Sequence, residues 1–137
     1  MSFLRNAWYP LCWSAEVGED LASHRVLGER VVVYRKTDGT VAALEDCCPH
    51  KFLPLSMGRR HGDRIECGYH GMTFDCAGRC TSIPGQEVIP ATAAVRSYPV
   101  AERLGLAWIW MGAAEKADES LLVDLPQYHD PAWKAVH

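Results

Sequence analysis

No stretch of this 137-residue sequence is apolar for the length of a membrane-spanning helix. Charge of one sign is not in excess: fourteen Lys and Arg stand against seventeen Asp and Glu, a net charge of −3. A nucleic-acid binder would need a basic stripe, so that class of partner is not expected. There is no internal repeat and no low-complexity tract. Residues 1–10 hold one arginine and no long apolar run, so they do not read as a signal peptide. The expectation is a cytoplasmic protein without membrane contact, where thiols stay reduced. Sustained helical periodicity is also missing, which argues against a helical bundle.

The composition, 48% hydrophobic and 23% charged, is that of an ordinary globular domain. Its local patterns are those of strands. Residues 30–44 read as a β-hairpin: Val31-Val32-Val33-Tyr34, a turn at Asp38-Gly39, then Val41-Ala42-Ala43-Leu44. Residues 64–66 and 72–74 read as short strands flanking a glycine-containing loop, and residues 75–78 as a turn. Residues 95–100 and 106–111 read as two more strands joined through Glu102-Arg103-Leu104-Gly105. Short helical turns are expected within 14–21 and 113–122. The fold class is therefore all-β. Residues 1–120 are expected to form the domain, and 121–137, with two prolines and no period, a tail leading toward a further domain.

Six cysteines are unevenly placed: five fall between positions 47 and 80, and only Cys12 stands apart. In a reducing compartment they are expected to be ligands or free thiols rather than a disulfide framework. Two pairs stand out, Cys48-Pro49-His50 and Cys67-Gly68-Tyr69-His70, with sixteen residues between them. Thiolate plus imidazole is a ligand set for zinc or for iron–sulfur chemistry. A centre with two thiolates on one iron and two imidazoles on the other needs each loop to supply one ligand to each iron. Two loops, each with one Cys and one His a step or two apart, meet that demand. Cys47 and His50 also make a Cys-x-x-His, so spacing alone leaves either cysteine open. Cys76 and Cys80 flank a turn with no third ligand nearby and are expected to be free thiols. Cys12 is expected in the core, His24 and His61 at the surface, and Trp108 and Trp110 in structural roles.

The spacing and its surroundings resemble the Rieske family. Pro54-Leu55-Ser56 and Gly58 follow the first pair, and Gly71, Phe74-Asp75, Gly78 and Ile83-Pro84-Gly85-Gln86 follow the second. With Asn6-Ala7-Trp8-Tyr9 and Trp108-Ile109-Trp110-Met111-Gly112, the chain resembles the N-terminal part of the oxygenase component of Rieske non-haem iron oxygenases, nearest the vanillate demethylase and toluene-sulfonate monooxygenase group. The resemblance implies a Rieske domain of short antiparallel sheets with two cluster-binding loops. It implies a [2Fe–2S] cluster held by Cys48, His50, Cys67 and His70, the ligand cysteine being the one just before the proline. Cys47 is then expected to be a small buried residue.

The implied function is one-electron transfer within an aromatic ring-hydroxylating or O-demethylating oxygenase. The implied partners are a flavin- or ferredoxin-type reductase and an oxygenase catalytic domain of a neighbouring subunit in a homotrimer, the side that His70 would face. A mononuclear Fe(II), held by two His and a carboxylate, is expected only in a catalytic domain beyond this chain; His129 and His137 lack a paired carboxylate spacing, and no catalytic residue is expected here. A stand-alone Rieske ferredoxin and a structural zinc domain are the alternatives. Respiratory members of the family carry a disulfide between the two loops; here those positions are Leu53 and Tyr69, so no such clamp is expected. Those members also carry Ser and Tyr hydroxyls two and four residues after the second histidine. Met72 and Phe74 stand there, which implies a low potential.

Overall fold

The computed structural model describes residues 2–136; Met1 and His137 lie outside them. Among the described residues eleven strands form three antiparallel sheets. In the middle sheet β2 (Ala22–Val26), β3 (Glu29–Arg35), β4 (Val41–Glu45) and β9 (Ser97–Tyr98) are neighbours in that order. One outer sheet has the order β1 (Ala7–Trp13), β11 (Leu106–Met111), β10 (Val100–Arg103). The other consists of β5 (Arg59–His61), β6 (Arg64–Glu66), β7 (Thr73–Phe74) and β8 (Cys80–Ser82). Helix among the described residues is limited to isolated 3-10 turns and one α-helical turn at Pro126–His129. The all-β expectation holds.

Strand β3 explains the layering. Side chains alternate across a sheet, yet Val31, Val32, Val33 and Tyr34 are all buried. Val32 and Tyr34 enter one core with Leu44, Leu55, Ile65 and Phe74. Val31 and Val33 enter a second with Ile109, Met111 and Tyr98. A sheet covered on both faces needs a continuous apolar run rather than an alternating one, and the sequence of β3 supplies it.

Two-residue turns join β2 to β3 at Leu27-Gly28 and β10 to β11 at Leu104-Gly105, with both residues of each turn at positive φ. That is the backbone of a type I′ turn. Leucine is a poor first residue for it, so neither β2 nor the full length of β10 shows in the sequence. Glu102 and Arg103 belong to β10 rather than to the connection.

The expected strand over 95–100 is two strands. Ser97 and Tyr98 pair with Leu44 and Ala43 in the middle sheet, and Val100 onward pairs with β11 in the outer one. Pro99 sits at the break. It has no N–H to give a ladder, and its carbonyl accepts from Trp110 N at 2.9 Å. The chain changes sheets there. Strand β1 carries Pro10 inside it, which is tolerated because β1 is an edge strand and its register shifts between Pro10 and Cys12. Residues 113–122 form two 3-10 turns, and Trp110 Nε1 and Trp8 Nε1 donate to Ala113 O and Asp118 O there.

Candidate metal centre

Two loops converge at the end of the β5–β8 sheet. Loop 1, residues 46–58, runs from β4 in the middle sheet to β5 in the outer one. Loop 2, residues 67–72, joins the neighbouring strands β6 and β7. Their backbones follow one plan. In loop 1 Cys48 N donates to Leu53 O at 2.8 Å, and Phe52 N to Cys48 O at 2.9 Å. In loop 2 Cys67 N donates to Met72 O at 2.7 Å, and Gly71 N to Cys67 O at 3.1 Å. The residue four after each cysteine is left-handed: Phe52 at φ 61°, Gly71 at φ 76°.

No disulfide joins the loops; all six cysteines are free. Two glycines let the loops meet instead. A Cβ at Gly58 would lie 2.1 Å from the Glu66 carbonyl oxygen. One at Gly68 would lie 3.2 Å from Met57 O and 3.8 Å from the Leu53 side chain. Leu53, in the position of a clamp cysteine, is partly buried against the core beneath the loops.

This packing sorts the four donor side chains into two pairs. Cys48 and Cys67 are each 2% exposed, in one buried cluster and close enough to interact electrostatically. Burial pushes the Cys48 thiol above its ordinary pKa, and the neighbouring Cys67 adds to the rise. His50 and His70 lie outward of them and are exposed. Their Nδ1 atoms face each other at 3.0 Å, with the rings 4.5 Å apart. The Tyr69 ring lies against that of His70, tilted by 43° with centroids 3.9 Å apart. Among the described residues no hydrogen bond reaches Nε2 of either histidine. The rings border a groove of about 460 Å³ floored by Pro49, Met72, Ile83 and Pro84.

Two sulfurs together and two imidazole nitrogens together are the donor set of a two-iron centre. Among the described residues no group of three His, Cys, Asp or Glu side chains converges on a single point.

The other candidates stay apart. Cys47 is half-buried beside Arg30 and Glu45, and burial raises its pKa. Cys76 is exposed in the turn after Asp75, and Cys80 is half-buried opposite Phe74. Cys12 is half-buried in β1. His24 is partly buried, and His61 pairs at the surface with Glu66 Oε2 at 2.8 Å. His129 Nε2 lies 3.6 Å from Asp124 Oδ1 at the exposed surface, and His137 is outside the described residues. Asp46, which ties loop 1 down, gave no signal in the sequence beyond being an acid next to two cysteines.

An all-β frame with paired thiols beneath paired imidazoles defines an iron–sulfur domain of the Rieske class. The family model of the Rieske [2Fe–2S] domain matches residues 7–99, and the chain belongs to that family. It is 44% identical over 133 residues to the toluene-4-sulfonate monooxygenase system iron–sulfur subunit TsaM1 of Comamonas testosteroni, covering 96% of this chain and 38% of that protein. It is 42% identical over 137 residues to the dicamba O-demethylase oxygenase component of Stenotrophomonas maltophilia, covering 99% of this chain and 40% of that one. The crystal structure of apo dicamba monooxygenase superposes with a TM-score of 0.89 at 41% identity, over 96% of this chain and 41% of that one. The chain thus spans about two fifths of the length of these relatives. No helix among the described residues is long and apolar enough to cross a membrane.

Proposed function

We propose that Cys48 and Cys67 hold one iron, and His50 and His70 the other, of a Rieske [2Fe–2S] cluster that passes single electrons. The observation that carries this reading is the sorting of donors, sulfurs buried and imidazoles exposed. The cluster supplies one-electron redox chemistry, with every iron position taken by protein or sulfide. The chain's own residues do the rest. Burial around Cys48 and Cys67 keeps water from the sulfur end. His50 and His70 present exposed rings at the groove, the short path for an electron to a partner.

The chain serves, on this reading, as the Rieske domain of an aromatic ring-hydroxylating or O-demethylating oxygenase component. The oxygenase relatives favour it over a stand-alone ferredoxin. Its electron donor is a flavin- or ferredoxin-type reductase. Its acceptor is a mononuclear Fe(II) in the catalytic domain of a neighbouring subunit of a homotrimer, while residues 121–137 lead toward the equivalent domain of its own subunit. The setting is cytoplasmic.

The test is spectroscopic. The purified chain should be red-brown and contain equal iron and acid-labile sulfide. Cys48→Ser and Cys67→Ser should each lose the visible spectrum, and a full spectrum in either would refute the ligand assignment. The loaded chain should take up one electron from a reductase and hydroxylate nothing; oxygenation of an aromatic acid by it would overturn the division of labour.

A further inference from the structure

Among the described residues Asp46 is the only charged side chain fully buried, at 0% exposure. Leaving a carboxylate in such a place without partners is costly. Asp46 has three. Its Oδ1 accepts from Ser56 N, and its Oδ2 from Ser56 Oγ and from Ser23 Oγ, each at 2.7 Å. Its own N–H donates to Arg30 O at 3.0 Å.

The three bonds come from two residues and join three places in the chain. Asp46 begins loop 1, two residues before Cys48. Ser56 lies near the end of the same loop. Ser23 is on β2, in the middle sheet. Loop 2 needs no such device, because it closes between adjacent strands of one sheet. Loop 1 starts in one sheet and ends in another. Its internal bonds, Cys48 N to Leu53 O and Phe52 N to Cys48 O, shape the loop without tying it to β2 or to Ser56.

We propose that Asp46 is the positioning residue of this centre. It draws the two ends of loop 1 together, ties both to β2, and so sets Cys48 and His50 against Cys67 and His70. The proposal rests on the ligand reading above. Three charge-assisted bonds to one buried carboxylate form a rigid joint, and a rigid joint two residues from a ligand fixes where that ligand stands.

The test uses the cluster-loaded chain as wild type, Asp46→Ala, Asp46→Asn and the double variant Ser23→Ala/Ser56→Ala. The readouts are the electron paramagnetic resonance spectrum after reduction, the rate of cluster loss to an iron chelator, and far-ultraviolet circular dichroism as a check on folding. Asp46→Ala should change the g values and speed cluster loss about tenfold, the scale of one lost charged hydrogen bond. Asp46→Asn keeps an acceptor for Ser56 N and should restore the wild-type spectrum. The double variant, which keeps the aspartate, should fall between. A folded Asp46→Ala with wild-type spectrum and rate overturns the proposal, as does an Asn variant no better than Ala. If Asp46→Ala does not fold, the double variant decides: unchanged spectrum and rate there overturn the proposal. A wild type that takes up no two-iron cluster overturns the ligand reading and the proposal together. A wild type that takes it up beside an unaffected Asp46→Ala overturns the proposal alone.

Discussion

Phe52 and Gly71 occupy the same position in two loops: each is four residues after its loop's cysteine, each is left-handed, and each donates its N–H to that cysteine's carbonyl. Only one of them is glycine. A left-handed backbone costs a side-chain-bearing residue roughly 1–2 kcal/mol, and Phe52, 70% exposed, recovers little by burial.

Exchanging the two residue types should therefore have opposite effects. Phe52→Gly should stabilise the chain by about 0.5 kcal/mol, the strain relieved less the added freedom of glycine when unfolded. Gly71→Ala should destabilise it by about 1 kcal/mol on the same reckoning, with its Cβ 3.0 Å from Pro84 Cγ. Urea unfolding of both variants checks this, and shifts of the same sign would contradict it.

The glycines between the loops should show a gradient. Gly58→Ala puts a methyl 2.1 Å from a backbone oxygen, whereas Gly68→Ala puts one at 3.2 Å. Overpacking of this kind costs about 1–3 kcal/mol. Gly58→Ala should lie at the upper end and release the cluster faster, and Gly68→Ala at the lower. Equal unfolding midpoints would show that the loops part freely.

The reduction potential should fall toward the bottom of the Rieske range of roughly −150 to +300 mV. Met72 and Phe74 are buried in the core that contains Cys48 and Cys67, and neither has a hydroxyl to donate to sulfur. The only nearby hydroxyl in that stretch, Thr73, has Gly71 O as its acceptor, at 3.4 Å. Voltammetry on the wild type and on Met72→Ser/Phe74→Tyr should show an upward shift in the double variant. A high wild-type potential would dismiss these positions as the control.

Acid should weaken the joint between β3 and β10. The Arg35 guanidinium, 2.9 Å from Glu102, holds that carboxyl below its ordinary value, with Ser14 also donating to it. A lowered folded pKa adds stability above the unfolded value of 4.5, and that stability is lost as pH falls through the folded value. Glu102→Gln should therefore cost under about 1 kcal/mol near neutrality, since the pair is partly solvent-screened. Denaturation of the variant and wild type should converge as the pH is lowered below 4.5. A difference that persisted in acid would assign the cost to packing.

Much of the centre was readable from the chain alone. Metal chemistry restricts both residue type and spacing, so two short Cys/His segments stand out, although spacing left Cys47 as open as Cys48 and only the resemblance favoured the latter. The β3–β4 hairpin was readable for a similar reason: its turn and its apolar run are local. Strands β1, β2, β5 and β8 were not, because they are short, interrupted by Pro10, or joined by leucine-bearing turns. The break at Pro99 was missed because residues 95–100 look like one strand until their two partners, β4 and β11, are in view.

The donor types and their order along the chain were set by the sequence itself, since ligation chemistry acts through particular atoms whatever surrounds them. Which donors lie together, and which face outward, was decided only by the tertiary structure. Cys48 and Cys67 meet because loops nineteen positions apart in sequence pack backbone to backbone at Gly58 and Gly68. Asp46 holds its place through Ser23 and Ser56, twenty-three and ten residues away. Contacts over such separations leave no local pattern, because each is paid for by the packing of whole sheets rather than by the residues beside it.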